Sequence, residues 1–128
     1  MWGNRSMKKI LIVEDNSDNM DVLEAYLEDD FELIEATDGK MGLDMAIKEK
    51  PDLVLLDISL PEMDGTEVVV KIRQNQEIMN TPVIALTAHA MLGDKEKFLK
   101  FGFNEYMSKP IVDEDLLIEM MNDLMGEK

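Results

Sequence analysis

Asp57 lies where the sequence most strongly indicates chemistry. Residues 53–56 are apolar without alternation, Asp57 follows them, and a more polar loop leads to Gly65. An apolar run of this kind is typical of a strand covered on both faces, as in a parallel sheet flanked by helices. Ligands of such sheets bind at the carboxyl ends of the strands. An aspartate alone would more often be a turn residue or a helix cap, so the other strand ends decide the interpretation.

Three further apolar segments also end at polar residues. The first ends at Glu14 and Asp15, the second at Thr87 and the third at Lys109. Because neighbouring parallel strands end at one edge, Glu14, Asp15 and Asp57 should converge. Three carboxylates repel one another unless some are protonated or a hard cation lies among them, and their oxygens suit Mg²⁺. With a hydroxyl and an ammonium nearby, the site could neutralise the charge of a transferring phosphoryl group.

The elements that would hold these residues alternate along the chain between strand-like and helix-like segments. This alternation is typical of βα repeats around a parallel sheet, and it predicts five strands and five helices. We expect Asp38 to cap the second helix, Gly102 to end the fourth and Gly126 to end the fifth. The predicted strands are 8–13, 31–36, 53–57, 83–86 and 104–107, and the predicted helices are 17–28, one between 38 and 51, 66–74, 92–101 and one from 113.

Helical spacing also predicts which side chains are buried. Met41 and Met45 in the second helix and Leu116 in the last fall on faces predicted to be inward. Most of the 12 methionines share such positions, so they are interpreted as core residues rather than as a soft-metal site.

The charge balance restricts the partners. The chain has 28 acidic and 13 basic residues, a net charge of −15, and would be repelled by nucleic acid and by anionic membranes. It has no cysteine for a disulfide, and no apolar stretch approaches the roughly 20 residues of a membrane span. We therefore expect a cytoplasmic protein without direct contact to nucleic acid or membrane. Residues 1–6 are interpreted as an expression leader and 7–128 as one domain.

Four motifs in order resemble the receiver domain of two-component response regulators. They are Val-Glu-Asp-Asn at 13–16, Leu-Leu-Asp-Ile-Ser-Leu-Pro-Glu-Met-Asp-Gly at 55–65, Ala-Leu-Thr-Ala at 85–88 and Lys-Pro at 109–110. The resemblance covers residues 8 to about 124. It implies a CheY-like, flavodoxin-like (βα)5 three-layer sandwich, in which a doubly wound five-stranded parallel sheet has the strand order 2-1-3-4-5.

The resemblance also implies roles for individual residues. Asp57 would accept the phosphoryl group, Thr87 and Lys109 would contact it, and Tyr106 would act with Thr87 in a conformational switch. The Lys109-Pro110 peptide bond would be cis. The Mg²⁺ ligands would be Asp15 and Asp57 directly, Glu14 through water, and the backbone carbonyl of Ser59.

The expected function is that of a signalling receiver. A histidine kinase or a histidine-phosphotransfer protein would phosphorylate Asp57, and the chain would catalyse only its own phosphorylation and dephosphorylation. The fourth helix, fifth strand and fifth helix would bind a downstream protein, with Met91, Lys95 and Tyr106 as candidate contacts. His89 would either control the water that attacks the phosphoryl group or be an exposed loop residue without a role.

Three alternatives stay open at this point. An aspartate-nucleophile phosphatase would need a second aspartate two residues after Asp57, where this chain has Ser59. A flavin-binding electron carrier would bind the flavin phosphate at the loop after the first strand. The acidic segment that begins at Glu14 would repel that phosphate. A degenerate receiver would only bind partners, yet every expected site position has a competent residue.

Overall fold

The computed structural model describes residues 7–88 and 94–126. The strands are β1 (Lys9–Val13), β2 (Glu32–Ala36), β3 (Leu53–Asp57), β4 (Val83–Thr87) and β5 (Glu105–Ser108). The helices are α1 (Ser17–Leu27), α2 (Gly39–Glu49), α3 (Gly65–Gln74), α4 (Asp94–Phe101) and α5 (Glu114–Met125). Each predicted strand agrees with the structure to within one residue at either end. The predicted leader at 1–6 and the predicted start of α4 at 92 lie outside the described residues.

The five strands form one parallel sheet in the order β2-β1-β3-β4-β5, as predicted. Val13 pairs with Leu56, and Asp57 pairs with Leu86. This register aligns the last residues of β1, β3 and β4 along one side of the sheet. We call that side the carboxyl edge and the opposite side the amino edge.

Helices cover both faces of the sheet, which explains why the central strands show no polar alternation. All residues of β3 and β4 are buried. One hydrophobic cluster joins alternate strand residues to α2, α3 and α4, and the other joins the remaining strand residues to α1 and α5. The structure is therefore a three-layer sandwich. No helix in the described ranges is long and apolar enough to cross a membrane.

Short polar side chains begin four of the helices. Each accepts a hydrogen bond from the backbone N–H three residues later, which satisfies a donor that the helix itself leaves unpaired. Gly102 and Gly126 follow α4 and α5 with φ angles of 118° and 79°, in the left-handed region that glycine tolerates best. The capping residues are Asn16, Asp38, Asp64 and Asp113.

Two predictions about burial are wrong. Met41 is 42% exposed, because the buried positions of α2 are Gly39, Gly42 and Ala46, and these small residues allow the helix to lie close to the sheet. Leu116 is 47% exposed, because α5 buries the next residue, Leu117, instead.

Candidate functional site

The Asp57 carboxylate lies at the end of β3 and is 1% exposed. Its Oδ1 atom accepts a hydrogen bond from the Ser59 N–H at 3.1 Å and lies 3.0 Å from the Lys109 ammonium. Its Oδ2 atom is buried and has no hydrogen-bond partner among the residues that the structure describes. An unsatisfied buried carboxylate oxygen is costly, so this atom is available to a ligand that the protein itself does not supply.

Glu14 follows β1 and is also 1% exposed. Its Oε1 atom lies 3.2 Å from the Lys109 ammonium, and its Oε2 atom accepts a hydrogen bond from the Asn16 N–H at 3.2 Å. Burial and the charge of Asp57 raise the pKa of Glu14, and the Asn16 N–H opposes that shift. The surroundings of Glu14 thus disfavour its charged form unless a second cation, in addition to Lys109, lies nearby.

Lys109 links the two buried acids. Its backbone N–H donates to the Thr87 carbonyl at 2.8 Å, which holds the end of β5 beside the end of β4. Burial alone would lower the pKa of Lys109, but the hydrogen bonds and charges of Asp57 and Glu14 raise it overall, so the ammonium stays charged. The Lys109-Pro110 bond is cis, as the resemblance implied.

Asp15 completes a group of three acids. One oxygen from each of Glu14, Asp15 and Asp57 lies within 4.8 Å of the others, with Asp15 exposed and the other two buried. Together with the unpartnered Asp57 Oδ2 atom, this all-oxygen set fits a hard divalent cation that enters from the solvent side. The convergence predicted from the strand ends is confirmed.

The loop after β3 depends on Gly65, the residue at which it ends. The N–H groups of Leu60 and Gly65 both donate to the Ile58 carbonyl, at 3.1 and 3.0 Å. A Cβ atom on Gly65 would overlap the Asp57 carbonyl oxygen. Gly65 therefore allows α3 to begin in close contact with the backbone of Asp57. The Asp64-Gly65 pair was a signal for a tight approach as well as for a turn.

Thr87 and Tyr106 lie on the same face of the sheet. Thr87 is 6% exposed, and Ala85, two residues earlier, pairs with Tyr106. The half-buried Tyr106 ring packs against Phe98 of α4, with ring centroids 5.6 Å apart. Contact between β5 and α4 thus runs through an aromatic pair close to the site.

The predicted partner-contact residues have different outcomes. Lys95 is exposed on α4 and lies 3.8 Å from Glu105 of β5, where an exposed ion pair contributes little to stability. Met91 lies outside the described residues, and so does His89, for which the alternatives were control of the attacking water and no role.

The family model of the response regulator receiver domain matches residues 10–122. The chain belongs to the response regulator receiver family. Receivers of this family interact with kinases or phosphotransfer proteins and with downstream targets, and this receiver acts in two-component signalling.

Individual relatives align with this chain over almost its whole length. The polar-differentiation response regulator DivK of Brucella anthropi is 40% identical over 121 residues, which cover 94% of this chain and 98% of that protein. The receiver domain of a sensor histidine kinase from Pseudomonas aeruginosa, whose structure has a magnesium ion coordinated in the active site cleft, is 33% identical, with a TM-score of 0.86 and coverage of 95% and 100%. Chemotaxis protein CheY4 of Vibrio cholerae is 26% identical, with a TM-score of 0.85 and coverage of 93% and 99%.

An apolar groove of about 210 Å³ opens beside the acidic site of this receiver, between α1 and residues 109–112. Val22 on α1 and Val112 in the β5–α5 loop are 40% and 82% exposed at its border. The Tyr26 hydroxyl donates to the Ile111 carbonyl at 2.9 Å and so joins the two sides of the groove. No local sequence pattern indicates this surface, because its two sides are about 90 residues apart in the chain.

Proposed function

We propose that this receiver takes a phosphoryl group from a phosphohistidine onto Asp57 in a Mg²⁺-dependent reaction. The observation that carries the proposal is the state of the Asp57 carboxylate. One oxygen is bound to Lys109, while the other is buried in the group that includes Glu14 and Asp15 and has no partner within residues 7–88 and 94–126. One oxygen of the Asp57 carboxylate is therefore held in place, and the other is available to a ligand.

The proposed metal ligands are Asp15, Asp57 and the Ser59 backbone carbonyl, with Glu14 acting through water. The magnesium in the Pseudomonas receiver supports this assignment by similarity. Bound Mg²⁺ would neutralise charge on the oxygens of the transferring phosphoryl group. The hydrogen bond from the Ser59 N–H to Asp57 fixes the start of the loop from which the Ser59 carbonyl would bind.

In the proposed transfer, an Asp57 carboxylate oxygen forms a bond to phosphorus as the bond from phosphorus to the donor imidazole nitrogen breaks. The electron pair of that bond stays on the nitrogen, and because the other ring nitrogen of the donor carries a proton, the products are an acyl phosphate and a neutral imidazole. Lys109 is within reach of a phosphoryl oxygen once it moves away from Glu14, and the Thr87 hydroxyl would donate to another. Attack of water on phosphorus breaks the bond to the Asp57 oxygen, which restores the carboxylate and releases inorganic phosphate.

The test is intact-mass analysis after incubation with acetyl phosphate. We expect one added phosphoryl group with Mg²⁺ and none after chelation of the metal. Asp57→Asn should abolish the addition, whereas Asp44→Asn, which changes an exposed acid of α2, should not. Labelling of Asp57→Asn at the wild-type level would contradict the assignment.

We further propose that the apolar groove is where the phosphohistidine protein docks, because it opens directly onto Glu14 and Lys109. A protein donor must be held while its imidazole approaches Asp57, and acetyl phosphate need not be. Val112→Asp should therefore slow transfer from a phosphorylated histidine-phosphotransfer protein and leave labelling by acetyl phosphate unchanged. Equal slowing with both donors would place the defect in the chemistry instead.

The proposed output is a change in the surface of α4, β5 and α5. Movement of the Thr87 hydroxyl toward the phosphoryl group would vacate space on the face that also holds Tyr106. The half-buried ring against Phe98 and the ion pair of Lys95 would then rearrange, which alters the surface offered to a downstream protein. Thr87→Ala should still accept phosphate, but amide NMR shifts near Tyr106 on adding beryllofluoride and Mg²⁺ should be lost. Normal shifts there would exclude this route.

The remaining proposals concern the chain as a whole. Residues 7–128 are proposed to form one receiver domain that acts in the cytoplasm and has no catalytic activity beyond its own phosphorylation and dephosphorylation. Ser59 argues against the phosphatase alternative, because a hydroxyl is a poor general acid compared with the carboxyl that those enzymes have two residues after the nucleophile.

A further inference from the structure

Gly39, the first residue of α2, is buried against the loop that follows β3. A Cβ atom at this position would overlap the backbone carbonyl oxygen of Met63 and would lie 3.1 Å from the Met63 Cβ atom. The obstacle is backbone, which cannot rotate away as a flexible side chain can. Only a glycine therefore allows α2 to begin at this distance from the loop.

The loop from Ile58 to Asp64 has few ways to absorb a displacement of Met63. At one end, Ile58 accepts hydrogen bonds from Leu60 and Gly65. In the middle, the Met63 N–H donates to the Pro61 carbonyl at 2.7 Å, and the Leu60 side chain is 7% exposed. A shift of Met63 would thus be passed back toward Ser59, which lies in the same loop.

We propose that Gly39 is a positioning residue for the metal site: by leaving room for the Met63 carbonyl, it sets where the loop holds the Ser59 carbonyl relative to Asp57. The inference rests on the proposed function, in which the Ser59 carbonyl is a metal ligand. It assigns a role at the site to a helix residue 20 positions before Ser59, which touches neither the acids nor the phosphoryl group.

Gly42 provides a matched control on the same helix. It is also buried, and a Cβ atom there would lie 2.8 Å from Cγ2 and 2.9 Å from Cγ1 of Val13. The obstacle in this case is a core side chain of β1, and the loop after β3 is not involved. Alanine at either position crowds α2 against a neighbour, but only Gly39→Ala pushes on the loop.

The experiment compares wild type, Gly39→Ala and Gly42→Ala by urea unfolding and by calorimetric titration with Mg²⁺. Both substitutions are expected to lower stability. Gly39→Ala should also weaken Mg²⁺ binding by about tenfold or more, the size of effect seen when a group that orients a metal ligand is lost. Gly42→Ala should bind Mg²⁺ like wild type. In the absence of metal, Gly39→Ala alone should shift the amide NMR signals of Ser59 and Leu60.

Each other outcome has a defined meaning. Wild-type affinity in Gly39→Ala, or equal losses in both variants, would overturn the positioning role while leaving the proposed function intact. A wild-type protein that does not bind Mg²⁺ would overturn the proposed function, and the metal-free amide shifts would still decide whether Gly39 sets the loop. If Gly39→Ala does not fold, Mg²⁺ titration of wild type should shift the Gly39 amide more than that of Gly42, and the reverse would overturn the inference.

Discussion

The two edges of the sheet differ in how fully their polar groups are paired. At the carboxyl edge, Glu14 and Asp57 share one ammonium, and in the described part of the chain an oxygen of Asp57 has no partner. At the amino edge, the half-buried guanidinium of Arg73 meets an acceptor at each of its nitrogens.

Arg73 lies near the end of α3 and joins two turns at the amino edge. Its Nε donates to the Gly102 carbonyl at 2.9 Å, and its Nη1 donates to the Met79 and Thr81 carbonyls at 3.0 and 2.7 Å. Its Nη2 donates to the Asn104 side-chain oxygen at 2.8 Å, which also accepts from the first residue of β4. The turn before β4 and the turn before β5 are thus tied to one side chain.

The difference indicates that the amino edge of the sheet contributes to stability and the carboxyl edge to function. Satisfied polar groups at the amino edge hold the ends of the elements in place. Unsatisfied charge at the carboxyl edge is a cost to the folded state, and a bound cation can relieve it. Substitutions at the two edges should therefore have opposite signatures in stability and in ligand response.

The largest effect on stability is expected at the amino edge. Arg73→Ala removes the charged donor of four hydrogen bonds to part-buried and exposed oxygens and should lower the free energy of unfolding by about 3 kcal/mol. Because the site is at the other edge, acetyl phosphate should still label Asp57 in the folded fraction. Urea unfolding and intact-mass analysis measure the two quantities.

Two controls test the reason for that loss. Lys71→Ala removes an exposed cation from the same helix and should have little effect. Arg73→Lys retains the charge without the planar fork of donors, so it should recover only part of the stability. Full recovery in Arg73→Lys would show that charge, rather than geometry, is what the amino edge requires.

A smaller effect of opposite sign is expected for Asp15→Ala at the carboxyl edge. Without metal this variant should be at least as stable as wild type, since it removes repulsion among three acids. Mg²⁺ at about a hundredfold over its Kd should stabilise wild type by about 2.7 kcal/mol, and Asp15→Ala should lose most of that gain. Thermal unfolding with and without Mg²⁺ measures it.

The control for the metal prediction is Glu14→Ala. A ligand that acts through water can be replaced by solvent, so this variant should lose less Mg²⁺ affinity than Asp15→Ala. Equal losses in the two titrations would contradict the proposed ranking of direct and water-mediated ligands.

The smallest effect concerns pH and the surplus of acids beside β2. A hydrogen bond with Glu24, partial burial, and the charges of Glu24 and Asp21 raise the pKa of Glu35 to about 7. Between the ordinary value of 4.5 and about 7, the folded state holds a proton that the unfolded state releases, so this group lowers stability as pH rises. Glu35→Gln should therefore be more stable than wild type at pH 8, and the difference should shrink toward pH 5.

Glu32→Gln on the same strand is the control for this prediction, because Glu32 is exposed. Its stability relative to wild type should not change over the same pH range. Urea unfolding at each pH measures both variants, and a parallel trend in Glu32→Gln would assign the effect to net charge.

The sequence predicted the carboxyl edge better than the amino edge, for a physical reason. Asp57 and Thr87 follow continuous apolar runs, so local pattern alone locates them at strand ends. Arg73 falls within the predicted helix 66–74, and its position there does not indicate which acceptors its guanidinium meets. Its acceptor at Gly102 is 29 residues away, and no local pattern reports such a contact.

The approach of Gly39 to Met63 was missed for the same reason, since the residues are 24 positions apart and the contact is made by backbone. Bounds of strands follow from local hydrophobicity, whereas contacts between a helix and a distant loop depend on how closely the layers pack. The strand order came from the resemblance to a family and not from periodicity.

The bond from Arg73 to the Gly102 carbonyl has a mechanical consequence for α4. It fixes the end of α4 that lies at the amino edge, so we expect α4 to respond to phosphorylation as a lever that pivots near Gly102. Its 8 residues span about 12 Å, so a rotation of about 10° would move the Asp94 end by about 2 Å and the pivot hardly at all. Amide NMR shifts on activation should therefore decrease from Lys95 toward Phe101, and a uniform shift along the helix would argue for sliding instead. The amino edge would in this way convert a small displacement at Thr87 into a directed movement of the partner surface.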